Sequence, residues 1–102
     1  MPTRGDLREP RSYLDEGGWP AGRLVADAPD VVKYALVISR RLAAALPPRH
    51  QSAIAADTQM ARSTLNDLLS GRRIPDLVSI VKLEGRLRTR LWPTRREVAR
   101  LD

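Results

Sequence analysis

The chain of 102 residues is long enough for one domain with a single modest core, and its 42% hydrophobic content excludes disorder throughout. It contains no cysteine, which excludes disulfides and thiolate metal sites and favours a reducing, cytoplasmic compartment. The longest apolar run is far too short for a membrane span, and the N-terminus is too charged for a signal peptide.

The net charge of +6 is distributed unevenly along the chain. Residues 1–29 contain four arginines and five acidic residues, whereas residues 30–102 contain 14 basic and seven acidic residues. A basic region indicates a polyanionic partner, with nucleic acid as the first candidate. A compositional bias is the alternative, since arginine supplies 16 of the 18 basic residues, as expected from a GC-rich genome.

Residues 1–29 form an N-terminal arm in which glycine and proline interrupt any long element. Two short segments, 11–15 and 22–27, flank the turn-forming sequence GGWPAG. They predict either a small β-hairpin or a mostly extended arm. The arm has too many apolar side chains for a simple linker, so we expect it to dock on the helical body or on a second subunit. These side chains are Tyr13, Leu14, Trp19, Leu24 and Val25.

From residue 30 onward, apolar residues recur with helical spacing, and no convincing strand follows. Asp30 is a suitable N-cap for a first helix, which the Pro-Pro pair at 47–48 ends near Leu46. Further helices are expected over 51–58, over 62–69 with a stop at Ser70-Gly71, and from Asp76 to the Trp-Pro step at 92–93. The sequence TRRE at 94–97 predicts a capping box for a last short helix. The predicted fold class is therefore all-α, with five helices in a domain over 30–102.

Residues 62–70 have two distinct faces when they are placed on a helix at about 100° per residue. One face is leucine-rich, and the opposite face consists of small hydrogen-bonding side chains. Such a helix suits the major groove of DNA, because the leucines hold it to the body while the polar side chains reach base edges. The first face consists of Leu65, Leu68 and Leu69. The second face consists of Ser63, Asn66, Asp67 and Ser70, and it is flanked by Arg62 and Thr64.

The stretch QSAIAADTQMARSTLNDLLSGRR, residues 51–73, and the following IPDLVSIVKLEGRL have a recognisable order of residues. The order is Gln51, then Ile54-Ala55, then the turn at 59–61, and finally a helix ending in Ser-Gly-Arg-Arg. Together these elements match one pattern. This pattern resembles the phage repressor and Cro-type helix-turn-helix family, also called the xenobiotic-response-element family. The resemblance implies a repressor-like bundle that binds double-stranded DNA in a sequence-specific manner, with the helix 62–69 in the major groove.

The resemblance also implies roles for individual residues. Gln51 should hydrogen-bond a phosphate and, as a further option, a base. The base-reading positions are occupied by Arg62, Ser63, Thr64 and Asp67, and Asn66 lies on the same face. The residues that should contact the DNA backbone are Ser70, Arg72 and Arg73. Side-chain chemistry agrees, since arginine binds guanine bidentately, asparagine does the same for adenine, and exposed arginines neutralise phosphates. An ordinary solvated side chain is the alternative for each, and it is favoured for Arg95, Arg96 and Arg100.

Asp67 fits least well, because phosphates repel a carboxylate. It either accepts a hydrogen bond from cytosine N4 or orients a neighbouring arginine.

Three features depart from the family pattern. Gln59 occupies the slot of a left-handed glycine, at a cost of about 1–2 kcal/mol. Ala61 replaces the usual Ser or Thr cap, at a cost of about 1 kcal/mol. The loop PPRH at 47–50 is also longer than usual.

No catalysis, metal site, cofactor or small-molecule ligand is expected. His50 is the only histidine, cysteine is absent, and GGWPAG lacks the pattern of a phosphate-binding loop. The expected partners are double-stranded DNA and a second copy of the chain, since such domains bind paired half-sites about 34 Å apart. Dimer contacts would come from Tyr13 and Trp19 of the arm, or from Trp92 and Leu101 near the last helix.

The alternative function is a protein-interaction module, such as an antitoxin or an accessory regulator. Such a module would keep the helical fold with weak or no operator reading. The departures at Gln59 and Ala61 and the carboxylate of Asp67 favour this alternative slightly. The sequence indicates neither the operator nor the direction of regulation.

Overall fold

A computed structural model describes residues 7–101, so the first six residues of the predicted arm and Asp102 lie outside it. Its two strands are β1 (Leu14–Glu16) and β2 (Arg23–Leu24). Its five α-helices are α1 (Asp30–Ala45), α2 (Gln51–Asp57), α3 (Arg62–Ser70), α4 (Leu77–Leu87) and α5 (Arg95–Ala99). Short 3₁₀ turns at Pro10–Tyr13 and Pro48–His50 precede β1 and α2. The prediction of a mostly helical chain is thus confirmed, and the arm contains the hairpin rather than an extended segment.

The hydrophobic core lies between α1 and the helices that follow it. Residues spaced three or four apart on α1 meet the inner faces of α2, α3 and α4. Burying a leucine or isoleucine in this way contributes about 1.5–3 kcal/mol per side chain, so this cluster dominates the stability of the bundle. Its members are Ile38, Leu42, Leu46, Ile54, Ala55, Leu65, Leu68, Ile80, Leu83 and Leu91, with Met60, Leu69 and Leu87 packed against them.

The helix termini follow local capping chemistry, with one correction. Pro29, not Asp30, is the N-cap residue of α1, and Asp30 is the first helical residue. Its carboxylate still lies in the first turn, where the helix dipole favours negative charge, and it pairs with Arg95 at 3.3 Å. The predicted capping box of α5 is confirmed, with Thr94 and Glu97 each accepting the other's backbone N–H.

Asp76 caps α4 as expected, since its Oδ1 accepts the Ser79 backbone N–H at 2.8 Å. This hydrogen bond is the main reason that the pKa of Asp76 lies below its ordinary value. The other end of α4 differs from the prediction of a helix reaching Trp92-Pro93. Arg88 adopts a left-handed conformation (φ 52°) and ends α4 at Leu87. α5 likewise ends at Ala99, two residues before the predicted Leu101.

The arm docks on the helical body. β1 and β2 pair antiparallel, with Leu14 opposite Leu24, and the connecting turn presents two carbonyls to α1. Arg40 donates from Nε to the Pro20 carbonyl at 2.8 Å and from Nη2 to the Gly22 carbonyl at 2.9 Å. None of the helices in residues 7–101 has the length and apolar character required to cross a bilayer.

Candidate nucleic-acid interface

The turn between α2 and α3 has the predicted backbone conformation. Gln59 has a φ of 54°, in the left-handed region, and its side chain is exposed. The Met60 N–H returns to the Ala55 carbonyl at 2.8 Å, and the buried Thr58 hydroxyl donates to the Ile54 carbonyl at 2.7 Å. These bonds satisfy the polar groups that a sharp reversal would otherwise leave unpaired. The expectation of a positive φ at Gln59 is therefore confirmed.

The two faces of α3 separate as the spacing predicts. Leu65 and Leu68 are fully buried, and Leu69 packs at the edge of the core. On the opposite side, three of the predicted base-reading candidates are exposed and three other polar side chains are half-buried. The exposed ones are Arg62, Ser63 and Asn66; the half-buried ones are Thr64, Asp67 and Ser70. α3 therefore presents a continuous polar surface along its first two turns.

Ala61 is the N-cap residue of α3, and its backbone is extended (φ −63°, ψ 138°) without a side-chain cap. The first N–H groups of α3 consequently have no side-chain acceptor at the N-cap, where a serine or threonine oxygen usually accepts one of them. The N-terminal end of this helix is thus left open to an external acceptor.

The C-terminal end of α3 is closed from three directions. Gly71 takes a left-handed conformation (φ 75°) and its carbonyl accepts the Arg11 N–H at 2.9 Å. The buried Ser39 hydroxyl of α1 donates to the Leu68 carbonyl at 2.8 Å. The indole of Trp19 lies on Gly71, so that a Cβ at this glycine would be 2.5 Å from Trp19 Cδ2. The arm and α1 together fix the position of α3.

The predicted backbone contacts flank this helix. Arg72 and Arg73 follow Gly71 and are exposed, while Gln51 is half-buried at the first position of α2. Arg72 Nη1 lies 4.0 Å from Asp67 Oδ1, which favours the interpretation that Asp67 orients a neighbouring arginine. Sequence reasoning passed over two more candidates, Arg49 and His50, which are exposed in the 3₁₀ turn directly before Gln51. Their position directly before Gln51 in the sequence could have identified them as candidate phosphate contacts.

Positive charge without an internal partner among the described residues borders the polar face of α3. Within residues 7–101, Arg49, Arg62 and Arg73 form no ion pair. Some arginines elsewhere in this range are matched to acids, such as Arg86 with Asp57 at 2.9 Å and Arg95 with Asp30, whereas others, such as Arg88, are not. The three arginines near α3 would attract an anionic ligand, although unpaired basic residues are not confined to this surface.

The described residues contain no group of three or more His, Asp or Glu side chains that could hold a metal ion. No protein-family model matches the chain, and comparisons with curated proteins and with solved structures found no match. The resemblance to repressor and Cro-type proteins therefore stays a prediction, which rests on the residues and the geometry of α2, the turn and α3.

Proposed function

We propose that this chain is a sequence-specific, double-stranded DNA-binding transcriptional regulator of the repressor-like helix-turn-helix type. The observation that carries the proposal is the left-handed turn at Gln59, which joins α2 to a helix with one leucine face and one exposed polar face. A helix held in this way can enter the major groove, with its N-terminal residues at the base edges.

Arg62 and Asn66 are the proposed base readers. Both are exposed, lie one turn apart on α3, and have the donors and acceptors that match guanine and adenine respectively. Ser63 and Thr64 supply shorter contacts between them, and Asp67 holds Arg72 toward the backbone. Gln51, Ser70, Arg72 and Arg73 are the proposed backbone contacts, and Arg49 adds a further positive charge beside Gln51.

The regulator is proposed to bind as a homodimer, with half-sites about 34 Å apart. Tyr13, Trp19 and Leu101, three of the expected dimer contacts, are half-buried against their own chain. Trp92 is 42% exposed and packs against Tyr34 with the rings tilted by 50° and their centroids 6.2 Å apart, and the exposed Val31 lies one turn from Tyr34. This aromatic surface is the proposed dimer contact. Sedimentation of Trp92→Gln would then report a shift toward monomer.

The first experiment is a selection of bound sequences from random duplex DNA, followed by titration of the best sequence at several salt concentrations. If the domain contacts about five phosphates, the logarithm of the association constant should fall with a slope near −4 to −5 against the logarithm of salt. A slope near zero, or no enrichment of any sequence, would contradict the proposal.

Two variants separate base reading from backbone binding. Arg62→Ala should relax the preference at one base position by about 1–3 kcal/mol, whereas Arg72→Ala should weaken all sequences alike and reduce the salt slope by about one. Arg96→Ala, an exposed change on α5, is the matched control and should alter neither property. Equal and small losses for Arg62→Ala and Arg72→Ala would refute the assignment of α3 as the reading helix.

A further inference from the structure

Exposed apolar side chains are concentrated on one helix. Leu77, Val78 and Val81 of α4 are 66%, 63% and 56% exposed. In residues 7–101, only Val31 and Trp92 are other large apolar side chains in the exposed class. At about 100° per residue, Leu77, Val78, Val81 and Gly85 lie on one side of α4. We call these four residues the α4 stripe. Contiguous exposed apolar surface on a small domain commonly marks a contact with another molecule.

Gly85 has no role in the packing of its own chain. It lies within α4, and a Cβ built on it would meet no atom of the described residues within 4 Å. Glycine is the least favourable helical residue after proline, so an exposed helical glycine without a steric reason is unexpected. Gly85 lies in the floor of an open depression of ≈ 380 Å³ between α4 and the α2–α3 turn. Among the described residues that line it, Val81 is the one large apolar side chain, and the others are Asp57, Thr58, Gln59, Lys82 and Arg86.

The border of the α4 stripe carries positive charge that the chain does not compensate. Each nearby acid already has an internal partner. Asp57 pairs with Arg86 at 2.9 Å, Asp76 caps its own helix through Ser79, and Glu84 accepts the Leu91 N–H at 2.8 Å. Lys82 beside the stripe and Arg88 at its end are exposed, and neither forms an ion pair with a described residue.

We propose that the α4 stripe docks an amphipathic helix of a partner protein that carries acidic side chains along one edge. One apolar side chain of the partner packs over Gly85 against Val81, at the apolar edge of the depression, and its neighbours cover Leu77 and Val78, as in helix-in-groove recognition. Its acidic edge meets Lys82 and Arg88. The proposal concerns α4 and does not depend on DNA binding by α3.

Charge decides between this occupant and a second copy of the chain. The chain has a net charge of +6, and two α4 helices crossing antiparallel at Val81 would bring both Lys82 side chains to the same flank. An acidic helix converts the same cations into favourable contacts. The depression above Gly85 also favours a protein partner over a lipid surface. A protein side chain has a fixed shape that can fit a depression, whereas fluid lipid chains do not require one.

The test is a selection from a display library of randomised 20-residue helical peptides, performed on the full chain and counter-selected against Val81→Gln. We expect enrichment of peptides with large apolar residues at i and i+4 and with Asp or Glu along one flank. The best peptide should bind Lys82→Glu at least tenfold more weakly than the unmodified chain. No enrichment over the Val81→Gln chain, or enriched peptides without an acidic excess, would overturn the proposal.

Gly85→Gln distinguishes a docking role from a structural one, because the two expected effects have opposite directions. The new side chain fills the depression and should weaken peptide binding at least tenfold. It should also raise the melting temperature by roughly 3–6 °C, since glutamine is a better helical residue. Ala43→Gln, a change at an exposed position of α1 that belongs to neither proposed surface, is the control and should leave peptide binding unchanged. If Gly85→Gln binds the peptide as tightly as the unmodified chain does, the depression above Gly85 is not part of the docking site.

Two further measurements exclude the other occupants. Sedimentation should show the same oligomeric state for the unmodified chain and for Val81→Gln. Loss of self-association in Val81→Gln would assign the α4 stripe to a second copy. Vesicles containing phosphatidylserine should bind both proteins equally. Vesicle binding that Val81→Gln abolishes would assign the stripe to an anionic lipid surface. Either result would overturn the proposal of an acidic partner helix.

Discussion

The two ends of α3 differ in almost every interaction they make. At the C-terminal end, Gly71 is left-handed, Ser39 and Arg11 hydrogen-bond the last carbonyls, and Trp19 covers the glycine. At the N-terminal end, Ala61 supplies no side-chain cap, and Arg62 and Ser63 face solvent. One end is held by other parts of the chain, and the other has no side-chain cap and is exposed.

This difference indicates how a small domain can orient a helix while leaving one of its ends exposed. The leucine face holds α3 along its length, and the additional contacts at the C-terminal end provide a further anchor. The arm, which sequence reasoning treated as a docking or dimer segment, here acts as part of that anchor. The changes below weaken or strengthen one end at a time, and they run from the largest expected effect to the smallest.

Gly71→Ala should produce the largest loss of stability. The left-handed backbone costs a non-glycine residue about 1–2 kcal/mol, and the added methyl would overlap the Trp19 ring, so we expect a total of about 2–4 kcal/mol. Chemical denaturation measures this loss. Gly18→Ala, in the arm that covers Gly71, is the control, because Gly18 has no positive φ and a Cβ there has no neighbouring atom of the described residues within 4 Å. Similar losses for both variants would show that Trp19 and the left-handed turn do not anchor α3.

Ser39→Ala should cost about 1–2 kcal/mol, because it removes a buried hydrogen bond and leaves the Leu68 carbonyl short of a partner. Ser12→Ala is the control, since the Ser12 hydroxyl also donates to a carbonyl, that of Glu9, but in an exposed position. We expect a change below about 0.5 kcal/mol for the control. If the two losses measured by denaturation were equal, the link between α1 and α3 would contribute nothing beyond an ordinary surface contact.

Periodicity in the sequence was sufficient to predict both faces of α3, because Leu65, Leu68 and Leu69 recur at helical spacing and leave the polar residues opposite. The positive φ of Gln59 was also predictable, because the resemblance implies that Gln59 occupies the slot of a left-handed glycine. These features depend on neighbours along the chain. The mostly helical class and the capping box of α5 follow from the same kind of local signal.

The anchor of α3 could not be predicted from the sequence. The contact between Trp19 and Gly71 joins residues that are distant along the chain, and no local pattern marks either as a partner of the other. The end of α4 was missed for a different reason. Arg88 adopts a left-handed conformation without being glycine or asparagine, so it carries none of the usual stop signals. The exposure of Leu77 was likewise not evident, because Leu77 shares helical spacing with the buried Ile80 and Leu83.

Gln59→Gly tests the strain in the turn just before the open end. Removing the side chain should stabilise the fold by about 0.5–1 kcal/mol, because the relief of left-handed strain exceeds the added entropy of the unfolded glycine. Arg88→Gly is the matched comparison, with a φ of 52° against 54° for Gln59 and an exposed side chain at both positions. If Arg88→Gly stabilises the fold in thermal unfolding and Gln59→Gly destabilises it, the Gln59 side chain makes a contact that offsets its strain.

Ala61→Ser should have an effect as small as that of Gln59→Gly, and it addresses the uncapped end of α3 directly. Ala61 already has the extended backbone of an N-cap residue, so serine can accept a hydrogen bond from the first turn of α3 and add about 0.5–1 kcal/mol of stability. Ala61→Val keeps the extended backbone without an acceptor and should add nothing. DNA affinity should stay within about twofold for Ala61→Ser, because the proposed readers lie on the side chains of α3. A large loss of affinity with the serine would instead assign DNA binding to the uncapped N–H groups, and the open end would then be a contact in itself.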